Sequence, residues 1–69
     1  MNITAPRGTK VVVANTDIAI ARFGSNTDPT GLLEVGKTYT VHHTEVHTYH
    51  TKVILEEFID KKFNSCHFT

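Results

Sequence analysis

Gly36-Lys37-Thr38-Tyr39-Thr40-Val41 and Thr51-Lys52-Val53-Ile54-Leu55-Glu56 decide the fold class of this chain. Both runs are rich in Thr, Val, Ile and Tyr and alternate with a period of two, the pattern of strands that bury one face of a small antiparallel sheet. From Thr38 onward the odd positions Tyr39, Val41 and His43 share one face and Thr40, His42 and Thr44 the other, and the odd face is expected to meet the core. In the second run Val53 and Leu55 point inward and Ile54 outward. Phe63-Asn64-Ser65-Cys66-His67-Phe68 closes the chain, and Phe63 and Phe68 are expected to seal the open end. The pattern points to a compact β-barrel.

Upstream, Met1 to Gly8 is polar and carries Pro6 and Gly8, so 1–8 reads as a flexible N-terminal lead-in and 9–69 as one small β-barrel domain. Thr9-Lys10-Val11-Val12-Val13-Ala14 has the β-branched character of a first strand. Asn15-Thr16-Asp17 signals a turn. The segment Ile18-Ala19-Ile20-Ala21-Arg22-Phe23 is ambiguous, since its alternation suits a strand-like arm while its two alanines tolerate a helical turn. Gly24 to Gly31 is the longest breaker cluster and reads as a surface loop. A hairpin tip belongs within Glu45–His50, and Ile59-Asp60-Lys61-Lys62 reads as a further short turn. No helical period lasts ten residues.

Size and charge limit the functions available. With 69 residues the chain buries only roughly 60% of the surface its unfolded form exposes. A deep substrate cleft would compete with the core for the same apolar side chains, so an independent enzyme is not expected. Seven basic residues cancel seven acidic ones, which leaves no net field to gather polyanions and no acidic excess to mimic DNA. The single Cys66 has no internal disulfide partner, which fits a reducing compartment. No apolar run approaches the ~20 residues of a spanning helix, and the first residues lack a charged-then-apolar signal pattern. The expected location is cytoplasmic, with no membrane association.

Leu33-Glu34-Val35-Gly36-Lys37-Thr38-Tyr39-Thr40-Val41, together with the closing Phe63 to Phe68 run, resembles the small Src-homology-type (SH3-like) β-barrels found in short phage and bacterial proteins of unknown role. These share a Gly-Lys-x-Tyr-x-Val strand start. The likeness spans about Lys10 to Phe68, through motifs generic to small barrels. It implies an all-β, five-stranded, partly open barrel with a short helical turn near the C-terminus, a binding role, and encoding by a phage or other mobile element. The chain departs from signalling domains of this type: it lacks tryptophan and an acidic loop to pair with an Arg-bearing proline-rich ligand. Binding of Pro-x-x-Pro peptides is therefore not carried over.

Several constellations could carry chemistry. Four of five histidines fall between His42 and His50, and if the strand continues through His47, then His43, Glu45 and His47 share a face that a hairpin could bring near His50. Imidazoles and a carboxylate are acceptable zinc ligands, although the spacing matches no recognised zinc motif. The simpler reading is half-exposed strand and loop residues, and no cofactor is expected. The same imidazoles would repel one another once protonated below about pH 6.5. Cys66 beside His67 invites a nucleophile reading, but strand neighbours point to opposite faces. Nothing around Ser65 resembles a nucleophile elbow. Lys52, Lys61 and Lys62 with Tyr49 could form a basic and aromatic surface for single-stranded nucleic acid, opposed by Glu56, Glu57 and Asp60 in the same region.

The resulting expectation is a small non-enzymatic protein-interaction module that engages another protein through loops or an exposed strand edge. Such edges also make pairing between copies into a homo-oligomer easy. Nucleic-acid binding through Tyr49, Lys52, Lys61 and Lys62 is the alternative, and histidine-dependent metal binding the weaker one.

Overall fold

A computed structural model describes all residues from Met1 to Thr69. The chain forms β1 (Lys10–Val12), a single-turn helix α1 (Ile18–Arg22), β2 (Thr38–Val46), β3 (Thr51–Leu55), β4 (Phe58–Asn64) and a closing 3-10 turn (Ser65–His67). The strands make one antiparallel, open, four-stranded sheet in the order β1-β2-β3-β4. Beyond the 3-10 turn the last residues return to the free edge of β1. Val13 bridges Phe68, and Val12 and Thr69 exchange backbone hydrogen bonds of 3.2 and 2.9 Å.

The core lies on the predicted face. Val11, Val13, Leu33, Tyr39, Val41, Val53, Leu55, Phe63 and Phe68 form one buried cluster, with Met1, Leu32 and Phe58 packed against it. Phe63 meets Phe58 and Phe68 edge-on, at centroid separations of 5.9 and 6.5 Å, an arrangement that adds quadrupolar attraction to area burial. Burying each large side chain contributes about 1.5–3 kcal/mol. Ile54, expected to face away from Val53 and Leu55, lies outside this cluster and is nevertheless buried.

Two local expectations are corrected. The odd face of β2 does not extend to His43, because the register slips between Val41, opposite Leu55, and His43, opposite Ile54. One extra residue on β2 at that point is a β-bulge, which changes the face that each later residue presents, so Tyr39 and Val41 are buried while His43 is exposed. The turn expected at Ile59–Lys62 lies instead at Glu56-Glu57, between the paired Leu55 and Phe58. Ile59–Lys62 belongs to β4, where four residues stand against the single Ile54 of β3 and the strand bows outward. Its side chains, polar apart from Ile59 and mostly exposed on that bow, read as a loop in sequence.

The ambiguous segment at Ile18 is helical. Asp17 accepts a hydrogen bond from the Ala19 amide at 2.9 Å and so caps the first turn. Gly24 at φ +82° and Ser25 at φ +58° then end the helix. Five residues cannot sustain a helix alone, and Asn64 supplies the anchor: its Nδ2 donates to the Ile20 and Phe23 carbonyls at 3.2 and 3.4 Å. Residues 1–8, set apart in sequence as a lead-in, run beside β2. The Gly8 amide donates to Val41 O at 2.8 Å, Thr44 Oγ1 donates to the Ile3 carbonyl at 2.9 Å, and Ala5 is buried.

Candidate functional site

Three segments distant in sequence meet at one end of the sheet and enclose an open groove of about 350 Å³, lined by Ala19, Ile20, Phe23, Tyr49, His50, Asn64 and Cys66. α1 supplies one wall. The loop between β2 and β3 supplies the other, where a tight turn closed by the His47 amide on the His50 carbonyl (2.8 Å) puts Tyr49 at the tip, 84% exposed. The end of β4 and the 3-10 turn contribute Asn64 and Cys66. Asn64 is the joint between these parts. While its Nδ2 holds α1, its Oδ1 accepts from the Cys66 amide at 2.9 Å and caps the 3-10 turn.

The two walls are clamped together at the rim. Lys52 Nζ donates to the Gly24 carbonyl at 2.8 Å, and the Phe23 ring meets the His50 ring edge-on, with centroids 6.0 Å apart and planes at 88°. The His50 imidazole lies directly over Gly24: a Cβ on that glycine would stand 2.5 Å from His50 Nε2. That nitrogen is buried without a partner. Desolvation holds the His50 pKa below its ordinary value, and the positive potential from His47 and Lys52 acts in the same direction. The neutral ring is therefore the form that fits the clamp. Phe23, 55% exposed, and Tyr49 leave two aromatic surfaces open at the mouth of an apolar groove.

His67, the sequence neighbour of Cys66, does not line the groove. It is fully buried, its Nδ1 lies 3.0 Å from Asn15 Oδ1, and its Nε2 has no partner. Burial lowers its pKa, outweighing the opposing hydrogen bond to Asn15 and the charges of Asp17 and Asp28.

Of the residues that stand out in sequence, Tyr49 and His50 line the groove. The three lysines each find a partner within the fold. Lys52 holds Gly24, Lys62 Nζ approaches Glu45 at 2.9 Å, and Lys61 approaches Asp60 at 3.8 Å. Among the histidines, His47 stacks on His50 with centroids 4.7 Å apart and planes at 8°, and its Nε2 lies 3.7 Å from Glu45 Oε1. His43 pairs instead with His42, so the quartet His43, Glu45, His47 and His50 is not assembled, and no three His, Cys, Asp or Glu side chains converge anywhere as metal ligands.

Sequence reasoning misses Ala19, Ile20, Phe23, Asn64 and Cys66 as parts of this surface. The one signal it offers is Phe23, an aromatic placed immediately before the Gly24 breaker, where a core residue is not expected. No helix is long and apolar enough to cross a membrane. Comparison with protein-family models, curated proteins and solved structures finds no match to the chain.

Proposed function

We propose that this chain is a five-stranded, partly open Src-homology-type barrel that acts as a non-enzymatic protein-interaction module, seating an extended apolar segment of a partner protein in the groove between α1 and the 47–50 loop. The observation that carries the reading is the groove itself: Ala19 and Ile20 on the α1 wall between the exposed rings of Phe23 and Tyr49, with Asn64 and Cys66 completing the lining. A mostly apolar cleft with a few fixed polar groups suits side chains presented along one face of an extended peptide. Support for the fifth strand comes from the two hydrogen bonds between Val12 and Thr69 and from the Val13–Phe68 bridge, which lead the C-terminus back to β1. The pairing of every lysine near the loop favours a peptide over a polyanion.

The test is selection of peptides from a random displayed library against the wild-type protein, with counter-selection on Phe23→Ser and Tyr49→Ser variants shown to be folded by amide spectra. Binders dependent on both aromatic residues, shifting amide resonances of residues 19–23, 49–50 and 64–66, are the expected result. Binders indifferent to both substitutions, or a salt-sensitive complex with single-stranded oligonucleotides in place of peptides, would overturn it.

A further inference from the structure

The bulge in β2 does more than redirect the strand. Consecutive residues of a regular strand point to opposite faces, so two neighbouring histidines would not ordinarily meet. At the register slip that follows Val41, the extra residue brings His42 and His43 side by side, Nδ1 to Nδ1 at 2.7 Å, with ring centroids 4.9 Å apart and planes at 71°. His42 is half-buried and His43 exposed, so the pair opens to solvent. We propose that His42 and His43 form a chelating site for a divalent copper ion.

Ligand type and spacing together favour one ion class. With metal–nitrogen bonds of about 2.0 Å, adjacent positions around a tetragonal ion lie about 2.8 Å apart, whereas two tetrahedral positions lie about 3.3 Å apart. The two Nδ1 atoms lie 2.7 Å apart along a hydrogen bond, so each ring must turn its lone pair off that line before one ion can take both, and adjacent tetragonal positions ask for the smaller change in separation. Copper(II) takes that geometry with imidazole ligands and stands at the top of the divalent affinity order. The proton inventory closes as well. In the neutral pair one Nδ1–H donates to the other Nδ1, and on metal binding the donor ring carries its proton on Nε2 instead, which frees both Nδ1 lone pairs without net proton release.

The second histidine pair lacks these properties. His47 and His50 stack face to face with planes at 8°, so their in-plane lone pairs lie in parallel sheets and cannot converge on one ion without unstacking. The neighbouring Glu45 is already held by Lys62 at 2.9 Å. Beside His42, Arg7 occupies the Glu56 carboxylate at 2.7 Å, so the site offers two imidazoles, with water completing the coordination.

Titration of tag-free protein with copper(II) chloride at pH 7.5, followed by calorimetry and electron paramagnetic resonance, tests this. One ion per chain with two equatorial nitrogens is expected. The exposed His43→Ala removes one nitrogen from the spectrum and weakens binding at least about tenfold, since even outer-shell partners of a metal ligand are worth that much. His42→Ala does the same, and an unchanged amide spectrum of either apo variant shows the fold intact. His47→Ala and His50→Ala leave stoichiometry and spectrum unchanged, and zinc(II) competes weakly. Substoichiometric uptake, an adventitious ion only, or a signal that follows His47 and His50 instead would overturn the assignment.

Discussion

Gly24→Ala is the substitution that tests the groove most directly, because two separable costs fall on one position. The backbone there sits at φ +82°, a region that costs an alanine about 1–2 kcal/mol. The new Cβ would in addition stand 2.5 Å from His50 Nε2 and 2.7 Å from two ring carbons, closer than real contacts allow. His50 is the movable party, so the ring is expected to swing off Gly24 and lose its edge contact with Phe23, a geometry worth about 0.5–1.5 kcal/mol. The control is Gly36→Ala, at φ +87° with nothing within 4 Å of the place its methyl would take, where only the backbone cost applies. Gly24→Ala should therefore exceed Gly36→Ala by about 1 kcal/mol. That matters in a chain whose total stability is on the order of 3–10 kcal/mol, and it corresponds to a further drop of about 4–8 °C in melting temperature. Chemical denaturation of both variants, repeated for Gly24→Ala in a His50→Ala background, reads the excess as a coupling energy. Equal costs at the two glycines, or a coupling within about 0.5 kcal/mol of zero, would refute the claim that His50 and Gly24 lock the walls of the groove.

Acid should weaken the fold before Asp28, Glu45 or Glu56 titrates. Burial depresses the His67 pKa below the 6.5 of a free imidazole, so as pH falls through 6.5 the unfolded chain takes up a proton that the native state refuses, and stability declines until the native pKa is reached. Urea midpoints should fall from about pH 7.5 to 5.5, and His67→Gln should flatten that slope; a variant slope equal to wild type refutes the assignment, while His50 adds a contribution of the same sign. Measurement down to about pH 5.5 stays above the range where Asp28, Glu45 and Glu56 act, since the pKa values of all three are lowered. Asn64→Ala should cost about 1–3 kcal/mol by removing both the cap and the anchor of α1. Asn64→Asp keeps the cap on Cys66 but sets a carboxylate against the Ile20 and Phe23 carbonyls, so it should destabilise at least as much; an Asp variant as stable as wild type would show that α1 does not depend on this anchor.

How much of this is legible in sequence depends on how many consecutive residues carry the signal. Tyr39, Val41, Val53 and Leu55 sit in alternating runs, and their burial follows from period and composition alone. The bulge at His42 falls in the polar run His42-His43-Thr44, where both faces of the strand look alike and a slip of one residue changes no hydrophobic pattern. Ile59–Lys62 of β4 reads as a turn because a strand that bows off its neighbour loses the buried alternation by which strands are recognised. α1 is too short to show a helical period, and although Asp17 caps it locally, the side chain that anchors it is Asn64, more than forty residues away. The groove is least legible of all, since it is assembled from 19–23, 49–50 and 64–66, and none of these segments is unusual by itself.

Size accounts for both the groove and its rigidity. A chain that buries roughly 60% of its surface cannot cover every apolar side chain, and of those left exposed here, which also include Ile3, Ile18, Val35, Val46 and Ile59, the aromatic rings of Phe23 and Tyr49 stand at the groove. Keeping such a surface open without collapse requires the walls to be held by something other than their own apolar contacts. Apart from the edge contact of Phe23 with His50, the holding contacts are polar and directed largely at backbone: Lys52 on the Gly24 carbonyl, Asn64 on the carbonyls of Ile20 and Phe23, and Asn64 again on the Cys66 amide. None of them depends on the side chains of Ala19, Ile20, Tyr49 or Cys66. A cleft fixed in this way loses little ordering entropy when a ligand enters. Its lining can change at those four positions, altering what it accepts, while the scaffold that shapes it stays in place.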